Sequence, residues 1–222
     1  MVVLPGDMAS GSGRNLSAGD RFSFRDGLAN LLLASSNVTA NVIARTFGAI
    51  LSEKDGAPVA DPSERFVREI NLVATGLGMT VSRFLNPHGL PVRGQRSTAR
   101  ELSLLVRECL EYPLIIEFWG LENHAISIGG PNAPQLTVDS IFSTSARKAG
   151  PDFCFPRFKG GKSGTLWPSV FNLAAVTETS TGRLIISVTT GSPSLMDRHS
   201  DYLAMVEIGD VATHKGLLAP RS

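Results

Sequence analysis

Lysine is scarce in this chain. Five occur in 222 residues, at positions 54, 148, 159, 162 and 215. Cysteine is scarcer, with only Cys109 and Cys154, which lack a metal spacing and sit in apolar settings. Both are expected as buried free thiols rather than as a disulfide or a nucleophile. His88, His124, His199 and His214 form no close pair, which argues against a metal site, and no cofactor is expected. Long apolar runs are missing. Stretches such as Leu31–Ala34 and Leu114–Ile116 fall far short of the ~20 residues of a membrane span. The opening Met1–Asp7 has neither a basic n-region nor an apolar h-region, so no secretory signal is expected in it. A dominant charge is missing too. With 21 basic and 20 acidic residues, the chain offers no electrostatic footprint for nucleic acid or for polybasic membrane docking. What remains is globular composition, 42% hydrophobic and 18% charged, enough for one real core or two small ones.

Helical signals fill the first half. Residues Met1–Asp20 read as a strand remnant, Val2–Leu4, and a Gly/Ser loop. Ser23 with Asp26 predicts a helix start, and Phe24, Leu28, Leu31 and Leu32 share a face. A second helix is read from Val38, Val42, Ile43, Phe47, Ile50 and Leu51. Asp61-Pro62 predicts the next start, with Gly78 as its stop. Residues Ser82–Arg96 read as loop around the turn Asn86-Pro87-His88-Gly89. Thr98 with Glu101 opens another helix, which Pro113 is expected to end. From about His124 the texture turns to short β-like runs. Gly161–Thr165, Val170–Thr177 and Arg183–Thr190 are expected strands, the last two joined by the turn Thr179–Gly182. A closing helix is expected over Met196–Ile208. Helices first and antiparallel strands last predict an α+β fold, with helices packed on a sheet.

Two stretches carry chemistry: Ser35-Ser36-Asn37 between two helices, and Lys162-Ser163-Gly164-Thr165 on a strand. Each alone is a common capping or loop sequence. In order, and with the residues between them, they resemble the Ser-x-Asn and Lys-Thr/Ser-Gly elements of serine penicillin-recognising enzymes. Further stretches resemble one branch of these, the serine D-Ala-D-Ala carboxypeptidases of low molecular mass (peptidase family S11). They are Phe66–Asn71 through Leu77-Gly78-Met79, Phe84–Leu90 with its Asn-Pro-His-Gly-Leu turn, Ser97–Leu102, Gly160–Thr165, and Arg183–Ile185 with the later Arg198. The similarity covers nearly all of residues 1–209.

The resemblance implies a β-lactamase/transpeptidase-like α+β domain over 1–222. Its helical part would run about 20–120, its sheet part about 121–209, and a tail would occupy 210–222. It implies removal of the terminal D-Ala of peptidoglycan stem peptides through an acyl-serine intermediate, with β-lactams as ligands, and a periplasmic or extracellular setting for the full-length family member. Ser35 would relay a proton to the leaving amine, and Asn37 would bond the substrate amide. Lys162 would supply positive charge for the terminal carboxylate. Ser163, Gly164 and Thr165 would line the substrate, the Thr165 N–H as an oxyanion donor. Arg198 would help hold the carboxylate, or would form a surface salt bridge. His88 reads as a structural turn residue.

The nucleophile motif Ser-x-x-Lys should precede Ser35. Three positions before the five lysines stand Leu51, Ser145, Pro156, Lys159 and Ala212. Only Ser145–Lys148 fits, in a polar, loop-like stretch between the other two motifs, and it reads as coincidence. Met1–Asp20 resembles the segment just after the nucleophile helix in the family. The expectation is therefore an N-terminally truncated, catalytically incompetent chain without the first strands and the nucleophile helix. Its Arg183–Thr190 strand should then be exposed at a sheet edge and the chain prone to aggregate. A β-lactamase-related hydrolase and a non-catalytic stem-peptide or penicillin-binding module remain alternatives. The Asn-Pro-His-Gly-Leu turn, and the lack of a Glu-x-x-Leu-Asn element, favour the carboxypeptidase over the β-lactamase.

Overall fold

Helix starts in this protein follow local hydrogen-bond chemistry. In the computed structural model, which describes residues 1–13, 15–56, 60–131, 134–149 and 154–217, helix α1 spans Phe24–Leu33 behind the cap Ser23, whose Oγ accepts from Asp26 N–H. Helix α2 spans Asn37–Lys54 behind Ser36. Helix α3 spans Pro62–Gly76 behind Asp61, with proline at its first position. Gly78 lies just past its end at φ +82, the left-handed conformation that glycine takes without penalty. Helix α4 spans Ala99–Cys109 behind Thr98. Each cap satisfies one of the N–H groups that a helix start leaves without a partner.

The chain divides into two units: Met1–Ser97 with Leu121–Thr144, and Thr98–Gly120 with Ser145–Ser222. In the first, α2 is the buried element, with Val38, Ala40, Val42, Ile43 and Ala44 withdrawn from water. It packs on α1 and α3. Its crossing with α3 is close: a Cβ on Gly48 would lie 1.7 Å from the Pro62 carbonyl oxygen. The N-terminal segment is tied down by the buried Asp7, which receives Arg45 of α2 at 2.8 Å. Arg45 also reaches the Val2 carbonyl at 2.7 Å. The expected strand over Val2–Leu4 is not formed. One isolated bridge, Val2 to Arg21, stands in its place. A hairpin of β1 (Asn123–Ser127) and β2 (Gln135–Asp139) lies against α1, with Ile126 and Val138 buried.

The second unit holds the sheet. Strands β3 (Phe158–Leu166), β4 (Val170–Glu178) and β5 (Leu184–Ser192) are antiparallel in the order β3-β4-β5. The middle of β4 buries Ala175, Val176 and Thr177 in succession. Consecutive burial means that both faces of the sheet are covered. Helix α7 (Leu195–His214) lies against β4 and β5, as does α4. On the α7 side, Gly209 admits Ile185, and the hydroxyls of Thr177 and Tyr202 share a hydrogen bond of 3.1 Å.

Several sequence expectations need correction. Pro113 does not end α4, which closes at Cys109; it opens a short helix, α5 (Pro113–Trp119). The stretch with Ser145 is not loop but helix α6 (Ile141–Ala149). The last helix runs on to His214 rather than ending at Ile208. Cys154 is exposed, not buried.

Candidate active site

Ser35, Ser36 and Asn37 form the corner between α1 and α2, and each does something different there. Ser35 has φ +56. That left-handed conformation is costly for a residue with a Cβ. Ser36 is fully buried, accepts from Thr39 N–H at 3.2 Å and donates to the Gly13 carbonyl at 2.9 Å. Asn37 donates its side-chain amide to the Ser10 carbonyl at 2.7 Å, and its backbone N–H to the Ser12 carbonyl at 3.2 Å. A loop of residues 10–13 is thus folded over the corner. Glycine is required in it. A Cβ on Gly13, at φ +62, would meet Ser36 Cα at 2.4 Å, and one on Gly11 would meet the Asn37 amide nitrogen at 2.7 Å. Sequence reasoning left this loop without a role, although its alternating Ser and Gly were the available signal.

The strain at Ser35 gives a direct expectation. Ser35→Gly should raise thermal stability by about 0.5–1 kcal/mol, because glycine takes positive φ freely. Calorimetry of the two proteins would show it. A destabilised Ser35→Gly would mean that the side chain holds the corner together and that the strain argument is wrong.

Strand β3 carries the second motif. Ser163 is buried, whereas Gly164 and Thr165 are exposed. Lys162 is half-buried, and its ammonium donates to the Ser163 carbonyl at 2.7 Å. Burial, and the nearby Arg198 cation, lower its pKa to about 8. Arg198 stands in the first turn of α7 and is only 2% exposed, so the surface salt bridge considered from sequence is ruled out. Burial pushes its pKa down to about 10, which leaves it charged at neutral pH. Its Nε and Nη1 are buried with no hydrogen-bond partner among the described residues. Among the described residues, the Arg198 guanidinium, close to a second cation and with two unsatisfied buried donors, lacks part of the compensation that buried charge normally has. An anion supplies it, and a carboxylate does so with charge-assisted hydrogen bonds.

The remaining candidates resolve simply. His88 accepts from Leu90 N–H at 3.1 Å, inside a turn where Asn86 accepts from Gly89 N–H at 2.7 Å, as a turn residue should. Ser145 lies in α6, and the Lys148 side chain falls outside the described residues.

Comparison with known proteins gives a consistent result. The profile of the D-alanyl-D-alanine carboxypeptidase family, peptidase family S11, matches residues 5–193. The D-alanyl-D-alanine carboxypeptidase DacF of Bacillus subtilis (strain 168) is 29% identical over 105 residues, 47% of this chain and 24% of that protein. The match thus spans about a quarter of that relative's length. The Streptomyces K15 DD-transpeptidase superposes with a TM-score of 0.76 at 20% identity, over 90% of this chain and 72% of its own. A serine-to-alanine variant of that enzyme reaches 0.80 at 18% identity, over 95% and 78%. At such identities the structures attest the fold, which is α+β and transpeptidase-like. The family profile covers both motif-bearing segments, and by it the chain belongs to the D-alanyl-D-alanine carboxypeptidase family.

Proposed function

We propose that this chain recognises peptidoglycan stem peptides ending in D-Ala-D-Ala, and the β-lactams that resemble them, as a serine-type D-Ala-D-Ala carboxypeptidase does in the periplasmic or extracellular cell wall. The observation that carries this is Arg198, a buried guanidinium whose Nε and Nη1 have no partner among the described residues and which lies close to Lys162. That pair suits the terminal carboxylate of such a peptide. In the family's reaction a serine oxygen attacks the penultimate carbonyl and the peptide C–N bond breaks. The D-Ala amine leaves with a proton, and water later cleaves the ester. Ser35 is the proposed relay of that proton. Asn37 is the proposed partner of the substrate amide, and Ser163, Gly164 and Thr165 line the ligand, with Thr165 N–H facing the developing oxyanion.

Within these 222 residues Ser-x-x-Lys occurs only at Ser145–Lys148. Recognition without acylation is therefore the expected behaviour of this chain. The test is a fluorescent penicillin. Reversible binding that excess acetyl-D-Ala-D-Ala displaces, with no label surviving denaturation, is the expected result. A covalent label would overturn the non-acylating part, and its loss in Ser145→Ala would make Ser145 the nucleophile. Absence of any binding would overturn recognition itself.

A further inference from the structure

Trp167 is the most exposed of the large apolar side chains among the described residues, at 77%. It stands at the tip of the hairpin between β3 and β4, one residue beyond Leu166. Its ring is held edge-to-face on Phe171, with centroids 5.2 Å apart, and Phe171 is itself buried. An indole fixed in this way presents area to a ligand with little further ordering to lose.

The strand leading to it explains which ligand can reach it. β3 is an outer strand of its sheet, so an extended peptide can add along its edge. Its first residues are covered by α5, since a Cβ on Gly160 would lie 2.6 Å from Trp119 Cβ, and one on Gly120 would lie 2.8 Å from the Lys159 carbonyl. A peptide anchored at Lys162 can therefore run only toward the hairpin tip, antiparallel to β3. Trp167 lies five positions beyond Lys162, or roughly 16 Å at ~3.3 Å per extended residue.

We propose that Trp167 is a specificity-determining residue that takes up the side chain about five residues from the carboxyl end of an extended peptide ligand; this rests on the anchoring of the carboxylate at Lys162 and Arg198 proposed above. A side chain with an apolar stem at that place packs on the indole. Short ligands end before they reach it. Trp167 thus sets a preference for length, not for the terminal D-Ala-D-Ala itself.

The test titrates acetyl-D-Ala-D-Ala and acetyl-Leu-Gly-Gly-D-Ala-D-Ala against the wild-type chain, Trp167→Ala and Trp167→Phe. The alanine variant should weaken the long peptide about five- to tenfold, leave the short one within about twofold, and the phenylalanine variant should recover most of the loss. A second readout uses the wild type alone. Trp119 is buried, so acrylamide quenching reports chiefly on Trp167, and the long peptide but not the short one should protect it. Equal effects of Trp167→Ala on both peptides, or no protection, would overturn the proposal while leaving the carboxylate anchor standing. Failure of both peptides to bind the wild type would overturn the anchor and this proposal together.

Discussion

Gly48→Ala should lower the melting temperature by roughly 5–15 °C, a loss of about 2–4 kcal/mol. The new methyl would sit 1.7 Å from the Pro62 carbonyl oxygen and 2.6 Å from its carbon. Both atoms are backbone, at the first turn of α3, so no side chain can swing aside. The helices must part or α3 must slide, and either opens the packing around the most buried helix of its unit. Alanine's better helix propensity returns only about 1 kcal/mol. Gly76→Ala is the control. Gly76 is also helical, but nothing lies within 4 Å of its Cβ position, so stability there should hold or rise slightly. Thermal melts by circular dichroism decide the matter. A Gly48→Ala protein as stable as Gly76→Ala would show that the crossing has slack.

Arg198→Met should move stability and binding in opposite directions. Removing a buried cation with two nitrogens that find no partner among the described residues should stabilise the unliganded chain by about 1–3 kcal/mol. The same change should cost at least ~100-fold in affinity for acetyl-D-Ala-D-Ala, since a buried charge-assisted contact to the carboxylate is lost. Loss of both stability and binding would instead make Arg198 a structural residue. Lys162 adds a pH dependence. Its folded pKa, about 8, lies below the ordinary lysine value of 10.5. Between those values the unfolded chain holds a proton that the folded chain has released, so this group makes the unliganded protein more stable as pH rises. Below about 8 its full penalty is present. Carboxylate affinity should fall over the same rise, because the cation that attracts the ligand is being discharged. Titration calorimetry from pH 7 to 10 would show it, and an affinity flat across that range would remove Lys162 from the anion site.

What was legible in the sequence was mostly what is local. Ser23, Asp61 and Thr98 were readable as helix caps because a cap needs only its own next three residues. The turn Thr179–Gly182 was readable for the same reason, and the structure closes it with Gly182 N–H on the Thr179 carbonyl at 3.0 Å. The misses are residues whose chemistry fits two roles. A proline ends one helix as readily as it opens the next, and Pro113 opens α5. Helix α6 was hidden by its Ser and Thr content, although Ser140, whose Oγ accepts from Phe142 N–H at 3.3 Å, marks its start. Arg198 was placed in the family's pattern from sequence, but its burial comes from the packing of α7 on the sheet and could not be read from its neighbours. The loop over Ser36 and Asn37 was missed because its partners are far away in sequence.

That loop bears on how the corner comes into being. Ser36 is held by a carbonyl 23 residues away and Asn37 by one 27 residues away. The three-residue motif is contiguous, yet its geometry is a long-range product. Closing a loop of that length costs on the order of 3 kcal/mol in chain entropy, recovered only once α1 and α2 have docked. An excised peptide of α1 and α2 would keep the letters Ser-Ser-Asn and lose their arrangement. The motif's arrangement therefore depends on residues 10–13 staying docked on the corner, and any opening that frees that loop dissolves it.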